Sequence, residues 1–409
     1  MISFEQAQEL LGAHVGALGS ELVPLIHAQG RVLRAQVSVP RDVPATANSA
    51  LDGYGLRADD LKAASPGHPA RLRVVGEIAA GDAPEQSPAL GEAVRIMTGA
   101  PVPPGVDVVI GVEHTRLDPL DEELVLIEQR LVSGANVREA GEDLQLGHVA
   151  FEPGTTITPS VLGVLASMGI ANVRVGCRPR VAILTTGKEL IEVGTAWREG
   201  AVYSSNSYSL RALVEDAGGL PVYHGIVPDE LAATKESLAA AFEADVVMSS
   251  GGVSMGLHDF VRVAAREIGV DEVFWKIAMK PGKPFFFGLL GERPIFGLPG
   301  NPVSSMVTFE QLVRPVLRRL QGARPSKRPV LKGRLTHDLH SEVGRLEFVR
   351  ARAIADAEGG LQATPLAGQG SGVLSTLAAA NALIPVAPEI GLVQAGTLVG
   401  VQLLGLPEL

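Results

Sequence analysis

The chain has 409 residues, of which 46% are hydrophobic and 20% charged, a balance that excludes a disordered chain and leaves ample material for a core. Its formal net charge of −10 argues against a nucleic-acid binder, and its single cysteine, Cys177, rules out an internal disulfide or a cysteine-based zinc site. No apolar run approaches the length of a membrane span, and the first residues lack a basic and an apolar leader region, so a soluble cytoplasmic protein is the expectation.

In chain order, Ser3 reads as the N-cap of a helix whose face carries Phe4, Ala7, Leu10 and Leu11. After Gly30 the chain turns extended, and the polar, proline-bearing stretch from Pro40 to Ala50 marks a boundary. Short alternating strands follow (LRVVGEI, AVRIM, DVVIGVEH, ELVLIEQ), separated by Pro/Gly turns, which predicts a small all-β module. Thr158 and Pro159 open a further helix that Gly169 closes.

From Pro179 the pattern changes to strands and helices in alternation. RVAILTTG, PVYHGIV and DVVMSS read as strands, with helices between them and a long closing helix from Asn301. This alternation predicts a parallel sheet with helices on both faces. Beyond Pro325 the chain returns to short strands that suggest a small barrel.

The densest chemistry lies between Asp245 and Pro302. A buried-strand pattern runs into Ser249, Ser250, Gly251, Gly252, Ser254 and Gly256. Small residues at a strand end expose backbone N–H groups and hydroxyls, a geometry that suits a phosphate or another anion. Lys276, Lys280 and Lys283 follow and would add positive charge. Lys276 and Lys280, four apart on an expected strand, would share a face. Pro299, Gly300, Asn301 and Pro302 form a rigid turn ahead of a helix, where backbone groups would bind.

Seven motifs, NSALDGYGLR, RIMTGAPVP, VREAGEDL, TTGKEL, SSGGVSMGLHDF, KIAMKPGKP and LPGNPVSS, together resemble the MoeA family of molybdopterin molybdenumtransferases, to which the E domain of gephyrin is related. The likeness covers nearly the whole chain in the same order. The SGGVS loop is shared with MogA-type adenylyltransferases. The two motifs ahead of it and the β module behind it narrow the resemblance to MoeA.

That resemblance implies four domains. They are an N-terminal helical and dimerisation domain (1–45 and 145–176), a small β domain (46–144), a MogA-like parallel α/β molybdopterin-binding domain (177–325) and a C-terminal β-barrel domain (326–409). It implies a homodimer whose clefts join two subunits. It also implies a reaction that inserts molybdenum from molybdate into adenylylated molybdopterin and hydrolyses the adenylate to AMP, assisted by Mg²⁺. A MogA-type adenylyltransferase is then a natural partner, with neither nucleic acid nor membrane involved.

Carried over residue by residue, Glu189 and Asp259 are the expected Mg²⁺ ligands, because a hard cation prefers oxygen donors and both follow strand carboxyl ends. Lys276 and Lys280 would neutralise molybdate or the phosphates. Asp52 joins them as a catalytic residue. Thr98, Asp143, Asp229, Ser250, Gly251, Gly252, Ser254, Pro299, Asn301, Pro302 and Ser371 are the expected ligand contacts, and Arg350 is a plausible further anion contact. Two positions depart from the pattern. Lys188 and Ser204 stand where many relatives carry acids, which removes negative charge near Glu189. The alternatives are a MogA-like adenylyltransferase and a non-catalytic molybdopterin-binding scaffold.

Overall fold

A computed structural model describes residues 1–83, 87–253, 260–324, 327–356 and 359–405. The chain divides into two compact units, one formed by Met1–Arg34, Pro153–Thr158 and Asn172–Leu409, the other by Ala35–Glu152 and Pro159–Ala171. No described helix is long and apolar enough to cross a membrane.

Helix α1 (Phe4–His14) opens the first unit with a capping box: Ser3 accepts from the Gln6 N–H, and the Gln6 side chain accepts from the Ser3 N–H. Its buried face is Phe4, Ala7 and Leu11, spaced three and four apart.

The second unit holds a six-stranded sheet of β1 (Gly53–Leu56), β2 (Ala70–Ile78), β3 (Glu92–Ile96), β4 (Val108–Gly111), β5 (Thr115–Asp118) and β6 (Asp121–Ile127). Its order is β4-β1-β3-β2-β6-β5, antiparallel except for the β2–β3 pair. Leu56, Leu72, Val108, Ile110, Val125 and Ile127 fill its core. Helix α2 (Pro159–Ser167) starts at the proline, and Gly169, at φ +76°, follows its end.

In the first unit a second six-stranded sheet is built from β7 (Arg180–Thr186), β8 (Leu220–Val227), β9 (Val246–Ser250), β10 (Asp271–Trp275), β11 (Phe286–Leu290) and β12 (Arg293–Leu298). Between its strands run α3 (Ser205–Asp216), α4 (Leu231–Ala241) and α5 (Phe260–Glu267). The order is β8-β7-β9-β12-β11-β10. The first four strands are parallel, as expected, but towards one edge β11 runs antiparallel to β12, and β10, antiparallel to β11, returns to the direction of the first four. The expected parallel arrangement holds for β8, β7, β9 and β12, and the reversal is confined to β11, beside the edge strand β10. The cause is local: β11 and β12 are joined by the two-residue turn Gly291-Glu292, with Gly291 at φ +61°, which is a hairpin connection.

One face of this sheet packs Val181, Ile183, Met248, Phe296 and Leu298 against α1, α3 and the closing helix, and the other packs Ala182, Leu184 and Val247 against α4 and α5. The closing helix is α6 (Pro302–Thr308), a π-helical turn (Phe309–Val313) and α7 (Arg314–Leu320). Pro315 accounts for the widened turn, because a proline cannot donate to the carbonyl four residues back and would collide with it.

The last strands, β13 (Val330–Leu335), β14 (Leu346–Ala355), β15 (Leu361–Pro365), β16 (Ala382–Val386) and β17 (Leu398–Leu403), close on themselves as a barrel in the order β14-β15-β13-β17-β16 and back to β14. Val349, Ala351 and Ala353 on β14 belong to the same core as Ala363, Ala382, Ile384 and Val401. The alternate residues of β14 face away from that core, so Phe348 meets Phe4 of α1 with ring centroids 5.3 Å apart. Arg350 is likewise buried outside the barrel core.

Candidate active site

The parallel strands β7, β9 and β12 end together, and their carboxyl ends line a cleft of about 610 Å³. Around it stand Thr186, Gly187, Glu189, Tyr203, Ser204, Asn206, Asp229, Ser250, Gly251, Gly252, Pro299, Gly300, Asn301, Pro302 and Gly372. Open α/β sheets hold their ligands at this end.

Two glycines are required by the close approach of backbone here. At Gly251, φ +93°, a Cβ would lie 2.6 Å from the Thr186 carbonyl oxygen. At Gly252, φ +70°, it would lie 2.5 Å from a Val261 methyl. The Ser-Ser-Gly-Gly stretch can therefore lie flat against β7 only without side chains at those positions.

A small polar lattice ties the three strand ends together. The Asn206 side chain, buried at the start of α3, donates to Ser250 Oγ at 2.7 Å and to the Gly300 carbonyl at 2.8 Å. The Gly251 N–H donates to the Leu298 carbonyl at 3.0 Å. Asn301 donates to Ser371 Oγ at 3.0 Å, and the Val303 N–H donates to the Ser371 carbonyl at 3.1 Å. Among the described residues Thr186 Oγ1, Ser204 Oγ, Asn206 Oδ1 and Ser249 Oγ are buried without a hydrogen-bond partner. Each such group costs roughly 1–3 kcal/mol unless something satisfies it. Three of them, Thr186, Ser204 and Asn206, line the cleft and suit it to a polar ligand.

The acids of the cleft are arranged unequally. Asp229 Oδ2 accepts from the Lys188 N–H at 2.9 Å and so shapes the loop after β7. Glu189 is exposed and folds back over Gly187, where a Cβ would come within 2.6 Å of its Oε1. These carboxylates and the free Thr186 hydroxyl are oxygen donors of the kind a hard cation takes. Among the described residues no three His, Cys, Asp or Glu side chains are grouped to hold a metal. Asp259 and Ser254 lie outside the described residues.

In the second unit, two residues singled out in the sequence are found together. Asp52 Oδ1 accepts from the Thr98 N–H at 2.7 Å and from Thr98 Oγ1 at 2.8 Å. The backbone and hydroxyl hydrogen bonds from Thr98, helped by the charge of Arg95, hold the Asp52 carboxyl below its ordinary value of 3.8. Asp143 is exposed, and its N–H donates to the Val43 carbonyl at 3.0 Å.

Three regions of the chain match family models: residues 2–169 the MoeA N-terminal region (domain I and II), residues 182–319 a probable molybdopterin binding domain, and residues 332–404 the MoeA C-terminal region (domain IV). The chain belongs to the MoeA family. It is 37% identical to the molybdopterin molybdenumtransferase of Haemophilus influenzae, over 94% of this chain and 93% of that one. To molybdopterin molybdenumtransferase 2 of Mycobacterium tuberculosis it is 38% identical, over 97% and 98%. A crystal structure of the molybdopterin biosynthesis moeA protein from Pyrococcus horikoshii OT3 superposes with a TM-score of 0.85 at 30% identity, covering 98% of this chain and 100% of that one.

Of the residues expected from the resemblance to MoeA, Glu189, Asp229, Ser250, Gly251, Gly252, Pro299, Asn301 and Pro302 line the cleft, and Ser371 is bonded to Asn301 beside it. The two lysines behave otherwise. Lys276 and Lys280 do not share a strand face, because Lys276 has φ +69° and breaks the extended chain between β10 and the short strand Met279–Lys280. Lys276 Nζ lies over the Trp275 ring, 3.9 Å from its centroid. Lys280 Nζ is 3.1 Å from Glu347 and 3.7 Å from Glu342.

The reading of Arg350 as an anion contact is also corrected. The residue is only 1% exposed, and its guanidinium donates to Gln369 Oε1 (3.1 Å) and to the carbonyls of Gly370 (3.1 Å), Gly368 (3.2 Å) and Val373 (3.4 Å). It therefore holds the loop that carries Ser371. Asn206 was missed. The only signal was an asparagine in the first turn of a helix beginning at a strand end, a place where side chains reach neighbouring loops.

Proposed function

We propose that this chain inserts molybdenum from molybdate into adenylylated molybdopterin at the cleft of β7, β9 and β12, hydrolysing the adenylate and releasing AMP. Molybdenum insertion in cofactor biosynthesis, a transferase activity, is supported by curated relatives at 37–38% identity over more than nine-tenths of the chain. The observation that carries the siting is the convergence of buried, unpartnered hydroxyls and flat glycine backbone at one set of parallel strand ends.

In this reading the Ser250–Gly252 backbone and Asn301 receive the phosphates. Glu189 and Asp259 hold Mg²⁺, which would offset phosphate charge, and Asp229 keeps the loop after β7 in place. Lys276 and Lys280 supply positive charge for molybdate. The Asp52–Thr98 pair presents a fixed carboxylate, and Asp143 belongs to the same set of ligand contacts. A homodimer, a cytoplasmic location and delivery of substrate by a MogA-type adenylyltransferase complete the proposal.

The test is AMP release from adenylylated molybdopterin with Mg²⁺, with and without molybdate, for the natural chain and Glu189→Ala. Molybdate-dependent release that the substitution abolishes is the expected result. ATP-dependent adenylylation of molybdopterin without molybdate would replace this reading with an adenylyltransferase. Binding without release would replace it with a scaffold.

A further inference from the structure

A second cavity of the first unit, about 870 Å³, lies between the start of the chain, the 153–154 turn and the end of α7. Its lining is Gly16, Ala17, Arg34, Pro153, Gly154, Arg319, Gly322, Ala323, Arg324 and Lys327, four cations with no carboxylate. In a chain of net charge −10 this is a local reversal of sign.

The cations are brought together by backbone. The Gly322 N–H donates to the Arg319 carbonyl at 2.8 Å, and the Arg324 N–H donates to the Gly154 carbonyl at 3.1 Å. Gly154 and Gly322 both have positive φ, and a Cβ on Gly154 would come within 3.2 Å of the Gly322 carbonyl oxygen. A Cβ on Gly322 would meet the Arg34 side chain at 2.7 Å, and one on Gly154 would meet the Arg324 side chain at 3.1 Å. Side chains at either glycine would push an arginine out of the cavity.

These arginines are unlike others in the chain. Arg262, Arg314, Arg328 and Arg345 each pair with a carboxylate. Arg34 gives one N–H to the Leu18 carbonyl, Lys327 bonds to Gln8, and among the described residues Arg319 and Arg324 have no side-chain hydrogen bond or ion pair. Like charges gathered without a counter-charge repel one another, and a multivalent anion removes that cost. The lining has no aromatic ring to stack a base and no acceptor side chain to read one.

We infer that this cavity is a second binding site, separate from the cleft, for a small multiply charged oxyanion such as a phosphorylated metabolite. The recognition is by charge and phosphate oxygens and not by a base. It is independent of the proposed function, which stands or falls on the cleft.

The test uses the full chain and tripolyphosphate as probe. Phenylglyoxal modification of the natural protein, read peptide by peptide, should show Arg319 and Arg324 protected by tripolyphosphate but not by sodium chloride of equal ionic strength. Titration calorimetry should then show the site weakened about tenfold or more by the paired substitution Arg319→Gln/Arg324→Gln, with binding that falls as salt rises. Equal modification rates with and without tripolyphosphate would overturn the inference. So would an affinity that the paired substitution leaves unchanged. The protection arm needs no variant, so a folding defect cannot obscure the result.

Discussion

At the floor of the cleft, Thr186, Ser204 and Asn206 keep buried oxygens without partners, whereas beside the barrel the buried Arg350 spends its guanidinium on Gln369, Gly368, Gly370 and Val373. The contrast separates two kinds of polar residue that look alike in a sequence. A charged group satisfied by its own chain fixes a loop. A neutral group left unsatisfied at a strand end waits for a ligand. The difference lies in the partners, not in the charge.

The strongest way to break this contrast is Arg350→Ala. It leaves three loop carbonyls and Gln369 without their donor and should lower unfolding free energy by about 3 kcal/mol in a denaturant titration. AMP release should fall with it, because the Ser371–Asn301 bond loses its support, while Arg350→Lys recovers part of the stability. An Arg350→Ala protein as stable as the natural chain would show that the loop holds itself.

Next in size is Gly251→Ala. The new Cβ meets the Thr186 carbonyl in a backbone conformation that alanine resists, so a loss of about 2 kcal/mol is expected, with substrate affinity reduced further. The same change at Gly300, where a Cβ meets nothing nearer than 3.7 Å, should be far milder.

Asn206→Ala removes two hydrogen bonds and should cost about 1–2 kcal/mol in a thermal or denaturant melt. Its effect on AMP release should exceed tenfold, since it loosens Ser250 and Gly300 together. Unchanged turnover would move the binding end of the sheet elsewhere.

The smallest effect concerns Asp52. Its carboxyl is held below 3.8 by Thr98, so the stability it contributes is present above that pH and is lost as the pH falls through the folded-state value. In Thr98→Val, carbon-detected NMR should show Asp52 titrating closer to 3.8. An unmoved titration would mean that the backbone N–H alone sets it.

Much of this architecture was legible in the sequence. The capping box at Ser3, the strand ends before Gly187 and Gly251, and the return to short strands past residue 325 each rest on local periodicity or turn chemistry, which a sequence carries directly. The reversal at β11 was also legible in principle, through the Gly291-Glu292 turn. What stayed hidden depends on residues far apart in the chain. Arg350 and its loop acceptors are about 20 residues apart, and Asn206 reaches Ser250 and Gly300 across 44 and 94 residues. The positive φ of Lys276 was hidden as well, because lysine gives no hint of that conformation.

The most direct test of the central claim is a crystal structure of the chain with adenylylated molybdopterin. The account predicts the phosphates within hydrogen-bond reach of the Ser250–Gly252 backbone and Asn301, with the open hydroxyls of the cleft floor engaged. A ligand seated elsewhere, with those oxygens still unpartnered, would contradict it.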